Sequence, residues 1–232
     1  MRAKTSDSKR VNPEAGVHVA RLIEILDIGK QVDKFDQDGR NKLEFIWELP
    51  ESLHVFHEDK GEQPLIVSRA YGNTLGRGSK MKAMIEGMLG KSIDKDFDLL
   101  SLKYKLCQLN LTLEEDGEYT NAVIQTAMPL GKEQLKVKYP HFNDWRVLDL
   151  DEFDQEVFDS LPQWKRDKIA KSETFKALEA EGVAVHTKDA EEQQAPPAAP
   201  PARKPAPAAQ TGKVFGKAEP AKGKAVAKAG KR

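Results

Sequence analysis

The feature that most restricts the fold of this chain is a succession of five strand-like stretches interrupted once by a helical stretch. The strand-like stretches are rich in Val, Ile, Leu and aromatic residues and partly alternate between apolar and polar positions. They span residues 16–32, 42–49, 64–71, 102–113 and 118–128. Between the third and the fourth stretch, apolar residues stand at the spacing of a single helix face. They are Met81, Met84, Ile85, Met88 and Leu89.

Local signals predict where these elements begin, bend and end. Ser79 is a residue type that caps helix N-termini, so it predicts the start of the helix. Gly29 is a candidate bulge inside the first strand. Asp38 and Gly39 tolerate positive φ, so we expect the turn between the first two strands there. Pro50 is expected to end the second strand because it lacks a backbone N–H.

The predicted order is three strands, one helix and two strands. This is the order of the OB-fold, a five-stranded Greek-key barrel whose helix lies between strands three and four. We therefore expect a mainly β protein in which residues 16–130 form such a barrel. Another small α+β sheet contains the same elements, and the pattern alone leaves that alternative open.

The N-terminal residues and the cysteine content indicate the compartment. Residues 1–15 look like a flexible leader, and "MRAKTSDSKR" lacks the apolar core of a secretory signal. No apolar run is long enough for a membrane-spanning helix. The single cysteine, Cys107, cannot form an internal disulfide and is expected in the core. A reducing cytoplasm is therefore the expected compartment.

Residues 131–182 change in character and predict a helical C-terminal appendix to the barrel. Seven acidic residues lie between positions 144 and 159. Pro162 suits the first turn of a helix, and residues 173–182 suit a second short helix. The side chains expected to pack on the barrel are Trp164, Ile169, Phe175 and Leu178.

Residues 183–232 form a tail that is rich in Pro and Ala and then in Lys, Ala and Gly, and we expect it to be disordered. The chain has 37 basic and 37 acidic residues, but from residue 190 onward it has nine basic and three acidic ones. The tail therefore carries +6 and the remainder −6. The tail is expected either to add a salt-sensitive grip on phosphates or only to improve solubility.

Motifs for catalysis and metal binding do not meet their spacing requirements. In "GRGSK" the lysine follows the serine, whereas a Walker loop requires Gly-Lys-Ser/Thr. A calcium loop starting at Asp94 would have Leu99 and Lys105 where glycine and glutamate are required. His54 and His57 fall on opposite faces of a strand. We therefore expect no enzymatic activity, no cofactor and no metal.

A stretch without acidic residues, from residue 63 to residue 85, is the strongest indication of a binding site. It covers the end of the third strand, a glycine-containing loop and the start of the helix. A helix N-terminus presents free backbone N–H groups and a positive dipole end, which suit a phosphate. The basic side chains of this stretch are Arg69, Arg77, Lys80 and Lys82.

Aromatic residues near this stretch suggest contact with bases. Tyr71 alternates with Arg69 along the strand end, and Trp47 lies on the second strand; either ring is a candidate for base stacking. Lys103 and Lys105 are candidates to extend the basic track. A cationic groove with aromatic rings is typical of sequence-indifferent single-strand binding. For both rings a place in the core is the alternative, and for Trp47 the apolar residues on its face favour it.

Several stretches resemble a family of small phage proteins, the OB-fold single-stranded DNA-binding proteins of tailed-phage replication and recombination. They include "ARLIEILDIGKQ", "KLEFIWEL", "PLIVSRAYGNTL" and "FDSLPQWKRDKIAKS", within residues 16–178. The resemblance implies coating of exposed single strands during phage DNA replication, and it carries Arg69 and Tyr71 over as binding residues. The basic ending "KAGKR" differs from the acidic tip with which many replicative single-strand binders recruit partners.

We therefore expect a non-enzymatic single-stranded DNA-binding protein that also contacts other replication or recombination proteins. The net charge of −6 outside the tail supports a rival hypothesis, a protein–protein interaction module of a replication or packaging complex. A third hypothesis is a protein whose tail compacts duplex DNA.

Overall fold

A computed structural model describes residues 11–33, 36–117 and 119–186. These residues belong to the unit Met1–Ala202, and the unit Arg203–Arg232 lies outside them. Most of the predicted leader and nearly all of the predicted tail therefore lie outside the described residues.

The described chain forms one sheet of six strands. The strands are β1 (Gly16–Asp33), β2 (Asp36–Val55), β3 (Glu62–Gly72), β4 (Leu106–Asp116), β5 (Tyr119–Met128) and β6 (Arg146–Leu148). Five of them pair antiparallel in the order β3-β2-β1-β4-β5, and β6 pairs parallel with β1. The sequence predicted the mainly β architecture correctly. A closed five-stranded barrel is not confirmed, because β3 and β5 are the two ends of an open path in the described sheet.

Four α-helices accompany the sheet in the part of the chain that the structure describes. They are α1 (Lys80–Leu89), α2 (Gln155–Asp159), α3 (Gln163–Ala170) and α4 (Glu173–Ala180). Helix α1 lies between β3 and β4 in the chain, as predicted, and the hydroxyl of Ser79 caps it by accepting the N–H of Lys82. None of the helices among the described residues combines the length and the apolar character that crossing a bilayer requires.

The bulge predicted in β1 is confirmed, but the predicted turn after it is wrong. The pairing of β1 with β2 is irregular between Asp27 and Lys30, and Gly29 between them has a φ of +69°. Asp38 and Gly39 lie inside β2 instead of in a turn. The strands pair up to Asp33 and Asp36, so the connection falls on residues 34–35, outside the described residues.

Two other predicted strand ends are also wrong. Strand β2 continues past Pro50 to Val55, because the pairing with β3 shifts between Leu49 and Leu53 and leaves Pro50 at the irregularity. Strand β4 begins at Leu106 because Leu99–Leu102 forms a 3-10 turn capped by the carboxylate of Asp98.

One face of the sheet and helix α1 enclose the first hydrophobic core. Phe45 and Trp47 of β2 pack there with the methionine-rich face of α1, as the helical spacing predicted. Cys107 of β4 is fully buried in the same core, so the predicted core position is confirmed. Burial raises the pKa of its thiol to about 12, because the apolar surroundings disfavour the thiolate.

The other face of β1 and β2 is covered by the C-terminal appendix, which forms a second core. Ile23 and Ile46 of the sheet pack there with Phe158, Ile169 and Phe175. Because both faces of β1 are covered, its apolar residues are divided between the two cores, with Leu22 and Ile25 in the first and Ile23 and Leu26 in the second. The predicted packing through Ile169, Phe175 and Leu178 is confirmed.

The predicted packing of Trp164 is wrong, because 51% of its surface stays exposed. It lies on the solvent side of α3, whereas Ile169 faces the second core. The ammonium group of the adjacent Lys165 lies 5.5 Å from the centre of the Trp164 ring.

Buried glutamates on the covered face of β1 and β2 form ion pairs with the appendix. Glu24 of β1 lies 3.0 Å from a guanidinium nitrogen of Arg146 and 3.2 Å from Nζ of Lys165. Glu44 of β2 lies 3.4 Å from Nζ of Lys168. A buried carboxylate without a partner is strongly destabilising, so these pairs tie the appendix to the sheet.

Glu48 of β2 is the third and most deeply buried of these glutamates, with no exposed surface. It accepts a hydrogen bond from Arg21 of β1 at 2.8 Å. Its second oxygen accepts from the backbone N–H of Asn143 at 3.0 Å and from the Asn143 side-chain amide at 2.8 Å. The appendix is thus fixed by hydrogen bonds as well as by apolar contacts.

We predict that Phe175→Ala destabilises the protein by about 3–5 kcal/mol, because it removes a fully buried ring from the second core. Trp164→Ala, on the same appendix, is the comparison variant and should cost clearly less, about 1 kcal/mol, because half of that side chain is already exposed. Chemical denaturation of both variants measures the difference. Equal effects of the two substitutions would contradict this packing of the appendix.

Candidate nucleic-acid interface

A depression of about 770 Å³ lies at the junction between β3 and α1. We call it the junction depression. Its lining residues are Leu75, Gly76, Arg77, Gly78, Ser79, Lys80, Lys82, Ala83, Glu86 and Lys95. Four cations and one carboxylate give this lining a net charge of +3, so it attracts anions.

The local backbone shapes the junction depression. The Ser79 hydroxyl donates a hydrogen bond to the carbonyl of Thr74, and the Ser79 N–H donates to the carbonyl of Gly76 at 3.1 Å. These bonds close the loop just before α1. Lys80 and Met81, at the first positions of the helix, have backbone N–H groups without an acceptor inside the helix. Their partial positive charge adds to that of the side chains.

Glu86 offsets part of the positive charge. One of its carboxylate oxygens lies 3.9 Å from Nζ of Lys82, one helical turn earlier, and the same oxygen accepts the backbone N–H of Ile93. Both side chains are about one-third exposed, and pairs of this kind are weak in water. Arg77 and Lys80, which also line the depression, are exposed to solvent.

Arg69 lies in a different place from the other predicted cations. Its half-buried guanidinium donates to the backbone carbonyl of Ile124, so it joins β3 to β5 across the open ends of the sheet. Its central carbon also lies 5.6 Å from the centre of the Tyr71 ring. Arg69 is thus engaged in holding two strands together and does not line the junction depression.

Trp47 and Tyr71 are not positioned as the predicted stacking surfaces. Trp47 has no exposed surface and Tyr71 only 4%, and both pack edge-on or tilted against Phe45 in the first core. Burial also raises the pKa of the Tyr71 phenol, an effect that the nearby Arg69 partly opposes. A base cannot reach either ring in this structure, so the core alternative holds for both.

Lys103 and Lys105 lie between the 3-10 turn and β4, outside the junction depression. Lys103 is exposed, and its ammonium group lies 5.6 Å from the centre of the Tyr104 ring. Lys105 is half-buried, and its carbonyl accepts the backbone N–H of Leu22 at 3.0 Å. The structure therefore divides the predicted basic track into separate groups.

The structure adds Lys95, which the sequence did not predict, to the lining of the junction depression. Lys95 stands between two aspartates, and a search for acid-free stretches excludes such a position. Among the described residues, no group of three or more His, Cys, Asp or Glu side chains is placed to hold a metal ion.

Comparison with known proteins gives no relative from which to transfer a function. No protein-family model matches the chain, and no curated protein matches it. The resemblance to phage single-stranded DNA-binding proteins therefore stays a prediction from the quoted stretches.

We predict that Tyr71→Phe leaves stability unchanged or raises it by up to about 1–3 kcal/mol, because the buried hydroxyl has no hydrogen-bond partner among the described residues. Tyr71→Ala should instead cost about 3–5 kcal/mol through the cavity it creates. Urea unfolding distinguishes the two. A loss of more than about 1 kcal/mol in Tyr71→Phe would mean that the hydroxyl is bonded.

Proposed function

We propose that this chain is a non-enzymatic single-stranded DNA-binding protein that holds DNA phosphates at the junction depression. The observation that carries the proposal is the net charge of +3 on that lining, in a body whose residues before the tail sum to −6. We further propose that it acts in phage DNA replication and recombination, as the resemblance implies.

The chemistry of the junction depression suits phosphates of a nucleic-acid backbone. Arg77 and Lys80 are exposed side chains that can neutralise phosphate charge and release condensed counterions. The helix N-terminus adds backbone N–H donors. Contacts of this kind read no base sequence, which fits a protein that coats single strands of any sequence.

We also propose that the fold is an OB-fold in which side chains join β3 to β5, the two strands at the ends of the described sheet. Strand β1 pairs with both β2 and β4, and α1 lies between β3 and β4, as that topology requires. The Arg69 side chain of β3 donates a hydrogen bond to a backbone carbonyl of β5. Strands β3 and β5 are the pair whose contact closes an OB-fold barrel.

An apolar group at the end of the β2–β3 hairpin favours the second candidate function, a protein–protein interaction module of a replication or packaging complex. Leu53, Val55 and Phe56 are each more than one-third exposed there. Exposed apolar surface is a common feature of protein-interaction sites. In this alternative the partner binds at the hairpin, and the junction depression has no ligand.

A fluorescence-anisotropy titration of labelled oligo-dT tests the proposal over a series of salt concentrations. The wild type should bind, and the logarithm of its affinity should fall linearly with the logarithm of the salt concentration. The double variant Arg77→Ala/Lys80→Ala should bind more weakly and should reduce that slope by roughly 1.4, since each single-strand phosphate contact contributes about 0.7.

The matched control is Lys171→Ala/Lys176→Ala, which removes two exposed cations of the appendix. It should leave affinity and slope nearly unchanged. An equal loss in both double variants would contradict a localised site, and no anisotropy change at low salt would contradict single-strand binding altogether. Equal affinity for a duplex of the same length would instead favour the duplex-compacting hypothesis.

A further inference from the structure

A second group of aromatic side chains lies outside the junction depression, at the edge of the first core, against which Trp145 packs. The ring centres of Tyr104 and His141 are 4.4 Å apart in an edge-on arrangement. The ring of Trp145 lies 6.0 Å from that of Tyr104. His141 is exposed, and Tyr104 and Trp145 are half-buried. Unlike Trp47 and Tyr71, these rings present surface to solvent.

Buried polar groups hold the segment that carries His141 in one position. Arg21, itself paired with Glu48, donates to the carbonyls of Tyr139, at 3.0 Å, and Pro140. On the other side of His141, the Glu48 carboxylate accepts the backbone N–H and a side-chain N–H of Asn143. The imidazole is therefore exposed on a backbone that is fixed on both sides, so little conformational entropy is lost when a ligand contacts it.

Tyr104 is held in place as firmly as the segment opposite it. Its hydroxyl oxygen accepts the backbone N–H of Trp145 at 2.7 Å. It is also the one non-glycine residue with a left-handed backbone, φ 56°, in the part of the chain that the structure describes. Such a conformation costs about 1–3 kcal/mol and is found preferentially at functional sites.

The charges around this aromatic group are mixed. The ammonium group of Lys103 lies 5.6 Å from the centre of the Tyr104 ring, and its side chain is exposed. Lys138, three residues before His141, is also exposed. Asp144 is an exposed acid on the same segment. A base can stack on the rings while its neighbouring phosphate contacts a lysine. A small anion would contact only the lysines and would leave the rings unused.

We propose that Tyr104, His141 and Trp145 form a stacking site for an unpaired nucleobase, with Lys103 contacting the adjacent phosphate. This inference rests on the proposed function and adds the base contact that the buried Trp47 and Tyr71 do not supply. Unpaired bases expose their ring faces, which a duplex hides, so this site selects single strands over duplexes.

The test is His141→Ala in the full chain, assayed with oligo-dT. Affinity should fall roughly 5- to 150-fold, the range expected when one stacked base is lost. The salt slope should stay that of the wild type, since no phosphate contact is removed. The thermal midpoint should also be unchanged, because His141 is exposed. The matched control is His57→Ala, which removes another exposed histidine and should not weaken binding.

The outcomes separate this inference from the proposed function. If the wild type binds oligo-dT and His141→Ala binds equally well, the stacking site is wrong and the junction depression is unaffected. An equal loss in His57→Ala would also overturn the stacking site. If the wild type binds no oligo-dT, the proposed function is wrong, and the stacking site that rests on it is wrong as well.

Photo-cross-linking of the wild type to an oligo-dT carrying 5-iododeoxyuridine gives a second readout that does not depend on a variant. We expect cross-linked peptides that contain Tyr104 or residues 139–145. Cross-links only to other peptides would overturn the inference.

Discussion

The placement of three carboxylates inside the protein constrains the rest of the structure. Glu24, Glu44 and Glu48 lie on the face of β1 and β2 that the appendix covers, and all three are buried. Removing a charge from water costs several kcal/mol unless a partner compensates it. For Glu24 and Glu44 the compensating cations come from the appendix. The appendix is therefore required by the sheet and is not an independent addition to it.

The same interactions determine which surfaces remain for a ligand. With that face of β1 and β2 covered, exposed cations remain at the junction depression and beside the Tyr104–His141 group, the two places where we propose that nucleic acid binds. Glu48 links the covered face of the sheet to the proposed stacking site. Its carboxylate pairs with Arg21 inside the protein and holds Asn143, two residues from the exposed His141. The fixed geometry of the proposed stacking site is thus a consequence of burying that carboxylate.

The sequence predicted the elements of the fold better than their ends or their outer contacts. The methionine spacing and Ser79 located α1 closely, because helix periodicity and capping are local properties. The continuation of β2 past Pro50 was missed, since it depends on a register shift against β3 that no local signal shows. The position of Trp164 was predicted wrongly for a related reason. The side of α3 that faces the sheet is set by tertiary packing, and one apolar residue does not identify that side.

The candidate site was predictable in part. The acid-free stretch located Arg77, Lys80 and Lys82, which are near one another because they belong to one loop and one helix turn. The roles of Trp47 and Tyr71 depended on which face of the strand is covered, and alternation alone does not settle this. Lys95 and His141 reach their positions through tertiary contacts, and both stand beside or near acids in the sequence, so charge patterning did not find them.

Hydrogen–deuterium exchange of the full chain, with and without saturating oligo-dT, tests the central claim most directly. The claim is that single-stranded DNA contacts the start of α1 and the His141 segment and leaves the covered face of the sheet untouched. Exchange should slow in residues 76–83 and 139–145 and stay the same in α3 and α4. Slowing confined to α3 and α4, or no slowing while the oligonucleotide is bound, would contradict it.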